Sequence, residues 1–332
     1  MSVFSKQDVK IVYAGSDIFS IPPLEKLINS GFKSIIVLTK PKKKQGRGQE
    51  EKHNPLAKFA LNKELKVFMP EDPNKQTFLN TISQIDAKVL VTAAYGKIIT
   101  TPLLSKFSMG NINIHPSLLP RWRGASPIQT TILEGDKKTG VTLMKMVPKL
   151  DAGPIYLQKS VMINNENTEL LSSKLSALAA EMIESFLPLF LEKTIEPLEQ
   201  DEKAVTHSKI IKKADSRINW TENAELINRK IRAYNPWPVA HCYIDNKYIR
   251  IWSSKPSDND PKGHKPGEII KINQEGIFVK CREKSLLISR VQPEGKQKML
   301  ASDFARGYNL SLIHISEPTR PERIAYAVFC LK

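Results

Sequence analysis

The sequence predicts an α/β protein: an open, mostly parallel sheet with helices on both faces, followed by a small β-barrel. Three observations predict it. Through residues 1–191, short apolar runs alternate with segments of helical period. One run, Lys88–Ala94, is nearly continuous in Val, Leu and Ala, as suits a strand covered on both faces. After Val239 the pattern changes to brief strands at close spacing, which suits a barrel.

Taken in order, Val9–Tyr13 reads as the first strand, turned by Gly15. Ser20 can cap a helix that carries Pro22 and Pro23 in its first turn, where a missing N–H costs nothing, and that stops near Gly31. Ser34–Thr39 is the second strand. Asn54 caps a helix opened by Pro55, with Leu56, Phe59 and Ala60 on its apolar face. Lys66–Met69 and Lys88–Ala94 are further strands. The alternation Ile112-Asn113-Ile114-His115 reads as a strand end that turns Asn113 and His115 to one face. Pro116 and Pro120 then bracket a stiff turn. Ser126-Pro127 opens a helix that Gly135 ends, Val141–Val147 and Pro154–Ile163 return to strand, and Thr168 caps a long amphipathic helix through Leu191. The polar segment 192–208 is expected as a linker between a domain over 1–191 and another over 209–309. The second domain opens with a helix, Ala224–Ala233. Its strands are Ala240–Ile244, Tyr248–Trp252, Gly267–Asn273, Gly276–Cys281 and Ser285–Val291.

A chain of 332 residues can build two domains, each with its own core. Its net charge of +16 points to a polyanion such as nucleic acid, although a Lys-, Ile- and Asn-rich coding bias raises it too. Residues 209–309 hold 20 Lys/Arg against 11 Asp/Glu, whereas 1–208 hold 27 against 21, so the barrel is the denser basic module. Cys242, Cys281 and Cys330 have no metal-like spacing and offer neither a disulfide framework nor a zinc site. No apolar run approaches the ~20 residues of a membrane span. Met1–Asp8 is polar and lacks a signal-peptide core. The expectation is a cytoplasmic monomer with neither a metal nor a membrane partner.

The stretch Asn111–Asp151 gathers groups fit for acid–base and oxyanion chemistry. An imidazole beside a carboxamide at a strand end, within reach of Asp151 on the loop Leu150-Asp151-Ala152-Gly153-Pro154, suits proton transfer near neutral pH. Taken singly, each residue can equally be a hydrogen-bonded strand or turn group. Open α/β sheets bind ligands at the carboxyl ends of their strands, and Asn113 and His115 fall there. Ala14-Gly15-Ser16 follows the first strand without a dinucleotide fingerprint.

Asn113-x-His115, Ser117-Leu118-Leu119-Pro120, Arg121-Trp122-Arg123-Gly124-Ala125-Ser126-Pro127 and Asp151-Ala152-Gly153 closely resemble the 10-formyltetrahydrofolate-dependent formyltransferases, with likeness from about Lys10 to Gly307. A lone N-x-H is weak; its fixed offset from SLLP and DAG makes the match specific. The resemblance implies a Rossmann-like formyltransferase sheet, an OB-like barrel, and formyl transfer from 10-formyltetrahydrofolate to an amine. It assigns Asn113 to the formyl oxygen, where an amide N–H stabilises the oxyanion. It gives His115 the acid–base role and Asp151 the task of orienting the imidazole. It sets Ser117, Leu118, Leu119 and Pro120 against the folate heterocycle. Ala94, Tyr95 and Gly96 at the neighbouring strand end help form that pocket, small residues there permitting close approach.

Lys40–Gly48 is a long basic loop between the second strand and the Asn54 helix, and such loops are often functional. In family members that formylate initiator tRNA the matching insertion approaches the acceptor stem. That implies phosphate contacts for Lys42, Lys43, Lys44 and Arg47, the last on the family's Gly-Arg-Gly. Lys42 stands where many relatives have an acidic residue. Ile211-Lys212-Lys213-Ala214 and the segment from Arg229 through Arg232, Tyr234 and Trp237 to Pro238 also resemble the family, and basic groups interleaved with Tyr and Trp suit an RNA grip, although Trp237 suits packing between domains at least as well. The resulting expectation is an enzyme that formylates methionyl-initiator-tRNA and releases tetrahydrofolate. Formyltransferases acting on a phosphoribosyl amine or amino sugar are rivals, disfavoured by the basic barrel and insertion. A formate-releasing hydrolase is another. A silent RNA-binding protein is a fourth reading, but it needs none of Asn113, His115 and Asp151. Leu310–Arg320 matches the translation of a transposon-derived sequencing adapter, so 310–332 is expected to be a non-native tail.

Overall fold

The computed structural model describes residues 5–45, 50–244 and 246–308, which fall into two compact units, the second beginning at Ile211. Arg47 and the tail 310–332 lie outside the described residues.

The first unit opens with β1 (Ile11–Gly15), α1 (Ile21–Asn29), β2 (Ile35–Leu38), β3 (Lys43–Gln45), β4 (Glu50–Lys52), α2 (Pro55–Asn62) and β5 (Lys66–Phe68). It continues through α3 (Gln76–Ile85), β6 (Val89–Ala93), α4 (Thr101–Leu104), β7 (Gly110–His115), β8 (Arg123–Gly124) and α5 (Pro127–Glu134). Then come β9 (Lys138–Met144), β10 (Ile155–Met162), α6 (Thr168–Leu191) and β11 (His207–Ser208). Seven strands form one sheet in the order β10-β9-β7-β6-β1-β2-β5. The five from β7 to β5 run parallel, while β9 lies antiparallel to β7 and β10 to β9. Every residue of β1 and β6 is buried, which is why both read as unbroken apolar runs. The chain steps from β1 outward to β2 and β5, then returns to β6 and β7 on the other side. Strand order thus reverses between β1 and β6, and a crevice at their carboxyl ends is where such sheets take ligands.

Asn54 caps α2 by accepting the Ala57 N–H at 3.0 Å, and Gly135 ends α5 in a left-handed conformation at φ 75°. Two other caps differ from expectation. The Ser20 hydroxyl donates back to the Asp17 carbonyl instead of accepting from α1. Asn167, rather than Thr168, caps α6 by accepting from the Leu170 N–H at 2.9 Å. Helix α3 was not expected; it buries Phe78, Leu79 and Ile82 and ends at left-handed Asp86. The segment expected as a linker, 192–208, is woven into the first unit. Leu198 exchanges hydrogen bonds with Ile155 at 2.7 and 2.8 Å, β11 pairs with β8, and Gln200 is buried. Most of its polar side chains face solvent, but buried Gln200 and Ser208 turn inward to internal hydrogen bonds.

The second unit contains α7 (Ala224–Ala233), β12 (His241–Ile244), β13 (Lys247–Ser257), β14 (Ile269–Asn273), β15 (Gly276–Lys280), β16 (Ser285–Pro293), β17 (Met299–Leu300) and α8 (Ala301–Gly307). Its antiparallel sheet runs β12-β13-β16-β15-β14, with β17 also on β16. Strand β13 continues past Trp252 because register shifts around Ser253 bend it without ending its pairing with β16. Cys242, Ile244, Ile249, Ile251, Ile288 and Val291 supply the buried side of this sheet.

Candidate active site

Pairing of Thr92 with Asn113 and of Ala93 with Ile114 sets the end of β7 beside the end of β6. Period-two alternation turns Asn113 and His115 to one face, and Asp151 meets both there. The Asn113 amide Nδ2 donates to Asp151 Oδ1 at 3.4 Å, a long contact, while His115 Nδ1 lies 3.7 Å from Asp151 Oδ2. The second distance is ion-pair range and exceeds a direct hydrogen bond. His115 Nε2 sits 3.0 Å from the Trp122 carbonyl oxygen. A carbonyl only accepts, so Nε2 carries hydrogen and Nδ1, facing the carboxylate, is where a proton is gained or lost. Both side chains are well buried, at 5% and 10% exposure.

Asp151 reaches this position from a left-handed backbone, φ 50°, and its Oδ2 also accepts the Gly124 N–H at 2.9 Å. Several groups hold the loop. A Cβ at Gly153 would collide with the Lys145 carbonyl, so only glycine fits there. Gln200 Nε2 donates to the carbonyls of Asp151 and Gly153, both at 2.8 Å. Arg123, 1% exposed, orients that amide by donating from Nε to Gln200 Oε1 at 3.0 Å. Its Nη2 pairs with Glu202 at 2.8 Å. Arg123, and after it Lys149, hold the Glu202 carboxyl down at about 2. Sequence reasoning quoted Arg123 only as part of a motif and missed Gln200. Its hydrogen-bond partners lie 47 to 77 residues away, so no local pattern announces it.

The residues expected to touch folate divide. Ser117 and Leu119 are turned inward: the Ser117 hydroxyl donates to the Arg121 carbonyl at 2.6 Å, and Leu119 is 3% exposed. The Thr142 hydroxyl donates to the Ser117 carbonyl at 2.6 Å, and Gln158 donates to the Leu119 carbonyl at 2.7 Å. These two residues therefore shape the turn, while Leu118 and Pro120 keep partial exposure. Leu118 lines a cleft of about 350 Å³ with Trp122, Lys138 and Met162. Ala94 and Gly96 are exposed in left-handed conformations at φ 48° and 66°. The expectation for the Tyr95 side chain is corrected: it packs in the core, and burial pushes its phenol pKa up. Ile98, not singled out in the sequence, and Leu150, quoted there only as part of its loop, are apolar residues 80% and 68% exposed after β6 and before Asp151.

Lys42, Lys43 and Lys44 are exposed, and β3 pairs with β4 so that Lys43 faces Lys52. Lys40, Lys43 and Lys52 line a cleft of about 210 Å³ with Ser16, Asp17 and Ala94 at the carboxyl ends of β1, β2 and β6. Burial, and then Lys43 and Lys97, lower the Lys40 pKa. In the second unit Lys212 and Lys213 are exposed, whereas Arg229 and Arg232 are half-buried on α7.

A carboxamide, an imidazole and a carboxylate gathered at the carboxyl edge of a parallel sheet can support proton-coupled group transfer. The chain belongs to the formyl transferase family: residues 10–186 match Formyl transferase, and residues 210–309 match Formyl transferase, C-terminal domain. It is 38% identical to methionyl-tRNA formyltransferase of Methylococcus capsulatus, over 91% of this chain and 98% of that one. Its fold is similar to methionyl-tRNA formyltransferase from Clostridium thermocellum, with TM-score 0.51 and 18% identity over 76% of this chain and 95% of the other. It is also similar to HypX from Aquifex aeolicus in complex with tetrahydrofolic acid, with TM-score 0.65 and 14% identity over 91% of this chain and 48% of that one.

Proposed function

We propose that the chain transfers the formyl group of 10-formyltetrahydrofolate to the α-amino group of methionyl-initiator-tRNA. The observation that carries the reading is the meeting of Asn113, His115 and Asp151 at the end of β7, in a chain whose relatives of nearly equal length bear that activity in their name. The amine attacks the formyl carbon, forming a C–N bond and an oxyanion. Asn113 has two amide hydrogens; one is directed at Asp151, and the other serves the oxyanion. His115 Nδ1 takes the proton lost by the attacking nitrogen and returns it to the folate nitrogen as the old C–N bond breaks. Asp151 orients both partners and stabilises the imidazolium between these steps.

The exposed backbone at Ala94 and Gly96, with apolar Ile98 and Leu150, suits a flat heterocycle. For the tRNA, exposed Lys42, Lys43, Lys44, Lys212 and Lys213 offer phosphate contacts, and Arg47 joins them by its place in the sequence. One assay tests the reading: transfer of labelled formyl to methionyl-tRNA, with free amine, uncharged tRNA and no acceptor as controls. Label on methionyl-tRNA alone is expected. Label on free amine, or formate released without acceptor, overturns it in favour of another formyltransferase or a hydrolase.

A further inference from the structure

The second unit carries an aromatic surface that its core does not use. On β12 and β13, His241, Tyr243, Tyr248 and Arg250 alternate with buried Cys242, Ile244, Ile249 and Ile251, so the first four share the outer face of the sheet. The register sets His241 opposite Arg250 and Tyr243 opposite Tyr248. The rings form one cluster. His241 and Tyr248 lie 4.7 Å apart at 34°, and Tyr243 stands edge-on to Tyr248 at 5.8 Å.

Two guanidinium groups rim the cluster: Arg217 at 5.9 Å over Tyr243 and Arg250 at 5.6 Å over Tyr248. Arg217 reaches it because the following residue, Ile218, donates its N–H to the His241 carbonyl at 2.9 Å, along the free edge of β12. Both arginines are exposed, and among the described residues neither pairs with a carboxylate. Burial, then Arg217 and, less strongly, Arg250, lower the His241 pKa, so the imidazole presents a neutral ring.

Half-exposed aromatic faces beside unneutralised guanidinium groups match a ligand with flat π-faces and a regular anionic backbone. A nucleic-acid duplex hides its base faces, whereas an unpaired strand offers them. We propose that the β12–β13 face is a stacking site for unpaired nucleotides of RNA. His241, Tyr243 and Tyr248 receive bases, while Arg217 and Arg250 contact the flanking phosphates. This deepens the tRNA reading above and rests on it for the identity of the RNA, though not for the stacking itself.

The test uses the full chain and fluorescence anisotropy with two labelled probes: a single-stranded RNA octamer and a blunt RNA duplex with as many phosphates. A Tyr243→Leu/Tyr248→Leu variant should bind the octamer at least ~10-fold more weakly. It should bind the duplex as the parent does, and keep the parent's salt dependence. Tyr243→Phe/Tyr248→Phe, which retains both rings, should restore octamer affinity and so separates lost stacking from lost folding. Arg217→Gln/Arg250→Gln should weaken both probes and flatten the octamer's log–log salt slope by about 1.4, for two phosphates on a single strand. Octamer binding indifferent to the Leu pair, or equal losses on octamer and duplex, overturns the site. Binding of an acidic peptide with the same variant pattern and no RNA preference overturns it in favour of a protein partner. Formyl transfer to methionyl-tRNA reports separately: its failure alongside intact, ring-dependent octamer binding sinks the acceptor reading and leaves the stacking site standing.

Discussion

Replacing Gln200 by leucine should damage the candidate site without touching any reacting group. The leucine side chain keeps similar bulk but removes three hydrogen bonds: one from Arg123 Nε and those to the carbonyls of Asp151 and Gly153. Arg123 is 1% exposed, and among the described residues its Nη1 has no hydrogen-bond partner, so the change strands a second donor of a buried cation. Glu202 still compensates the charge, so the cost is that of an unsatisfied buried donor, about 1–3 kcal/mol and towards the upper end because the donor is charged. The urea midpoint of the first unit should fall accordingly. With its carbonyl released, Asp151 can relax from its left-handed backbone, and kcat for formyl transfer should drop at least ~10-fold with a smaller change in KM. Gln200→Glu separates the two effects. A carboxylate still accepts from Arg123, so much of the stability returns, but it offers the two carbonyls no hydrogen and kcat stays low. If Gln200→Leu unfolds within ~0.5 kcal/mol of the parent and turns over at the parent rate, the strut has no role and the reasoning fails.

Asn113→Ala and His115→Ala should each lower formyl transfer at least ~10²-fold while tRNA affinity, measured by filter binding, stays nearly constant, because both act on developing charge. Glu202 titrates at about 2 when folded against an ordinary 4.5, so the stability it contributes is complete above pH 4.5 and is lost as pH falls through 2. Melting temperatures across that window should decline less steeply in Glu202→Gln. Burial pushes the thiols of Cys242 and Cys281 up to about 12, so neither should be alkylated by iodoacetamide at pH 8 until urea unfolds the second unit, as peptide mass spectrometry can follow. Ending the chain after Asn309, where the family match stops, should leave transfer rate and melting temperature near the parent's. A loss above about 1–2 kcal/mol would show that the tail packs on the fold.

Local periodicity made much of the scaffold legible. The strand ending at His115, the Asn54 cap, the Gly135 stop and the helix Ala224–Ala233 each rest on neighbours in sequence. Helix α3 carried a readable signal in Phe78, Leu79 and Ile82 but had no capping side chain to mark its start. At Ser20 and Thr168 the residue type suited a cap, and geometry chose otherwise: Asn167, one residue earlier, has the longer reach. The segment 192–208 misled because composition cannot tell polar groups facing water from those answering buried donors. Gln200 and Glu202 answer Arg123.

The spacing that made the motif recognisable has a structural cause. Strand β9 runs antiparallel to β7 with Asn113 opposite Met144 and His115 opposite Thr142. That register delivers the Thr142 hydroxyl to the Ser117 carbonyl and the Leu119 N–H, and it brings the loop after β9 back across the end of β7 with Asp151 on it. A strand alternates with period two, so a residue inserted between α5 and Thr142 must be taken up by a loop or a bulge or else shift the register. If the loop before β9 absorbs it, the site survives; if the register slips, Thr142 turns to the other face. In the second case the SLLP turn loses both hydrogen bonds, and Asp151 arrives one residue out of step with Asn113 and His115. The fixed offset from NxH to SLLP and on to DAG therefore records one antiparallel pairing. Gln200, tied to that pairing only through the loop it braces, left no such trace.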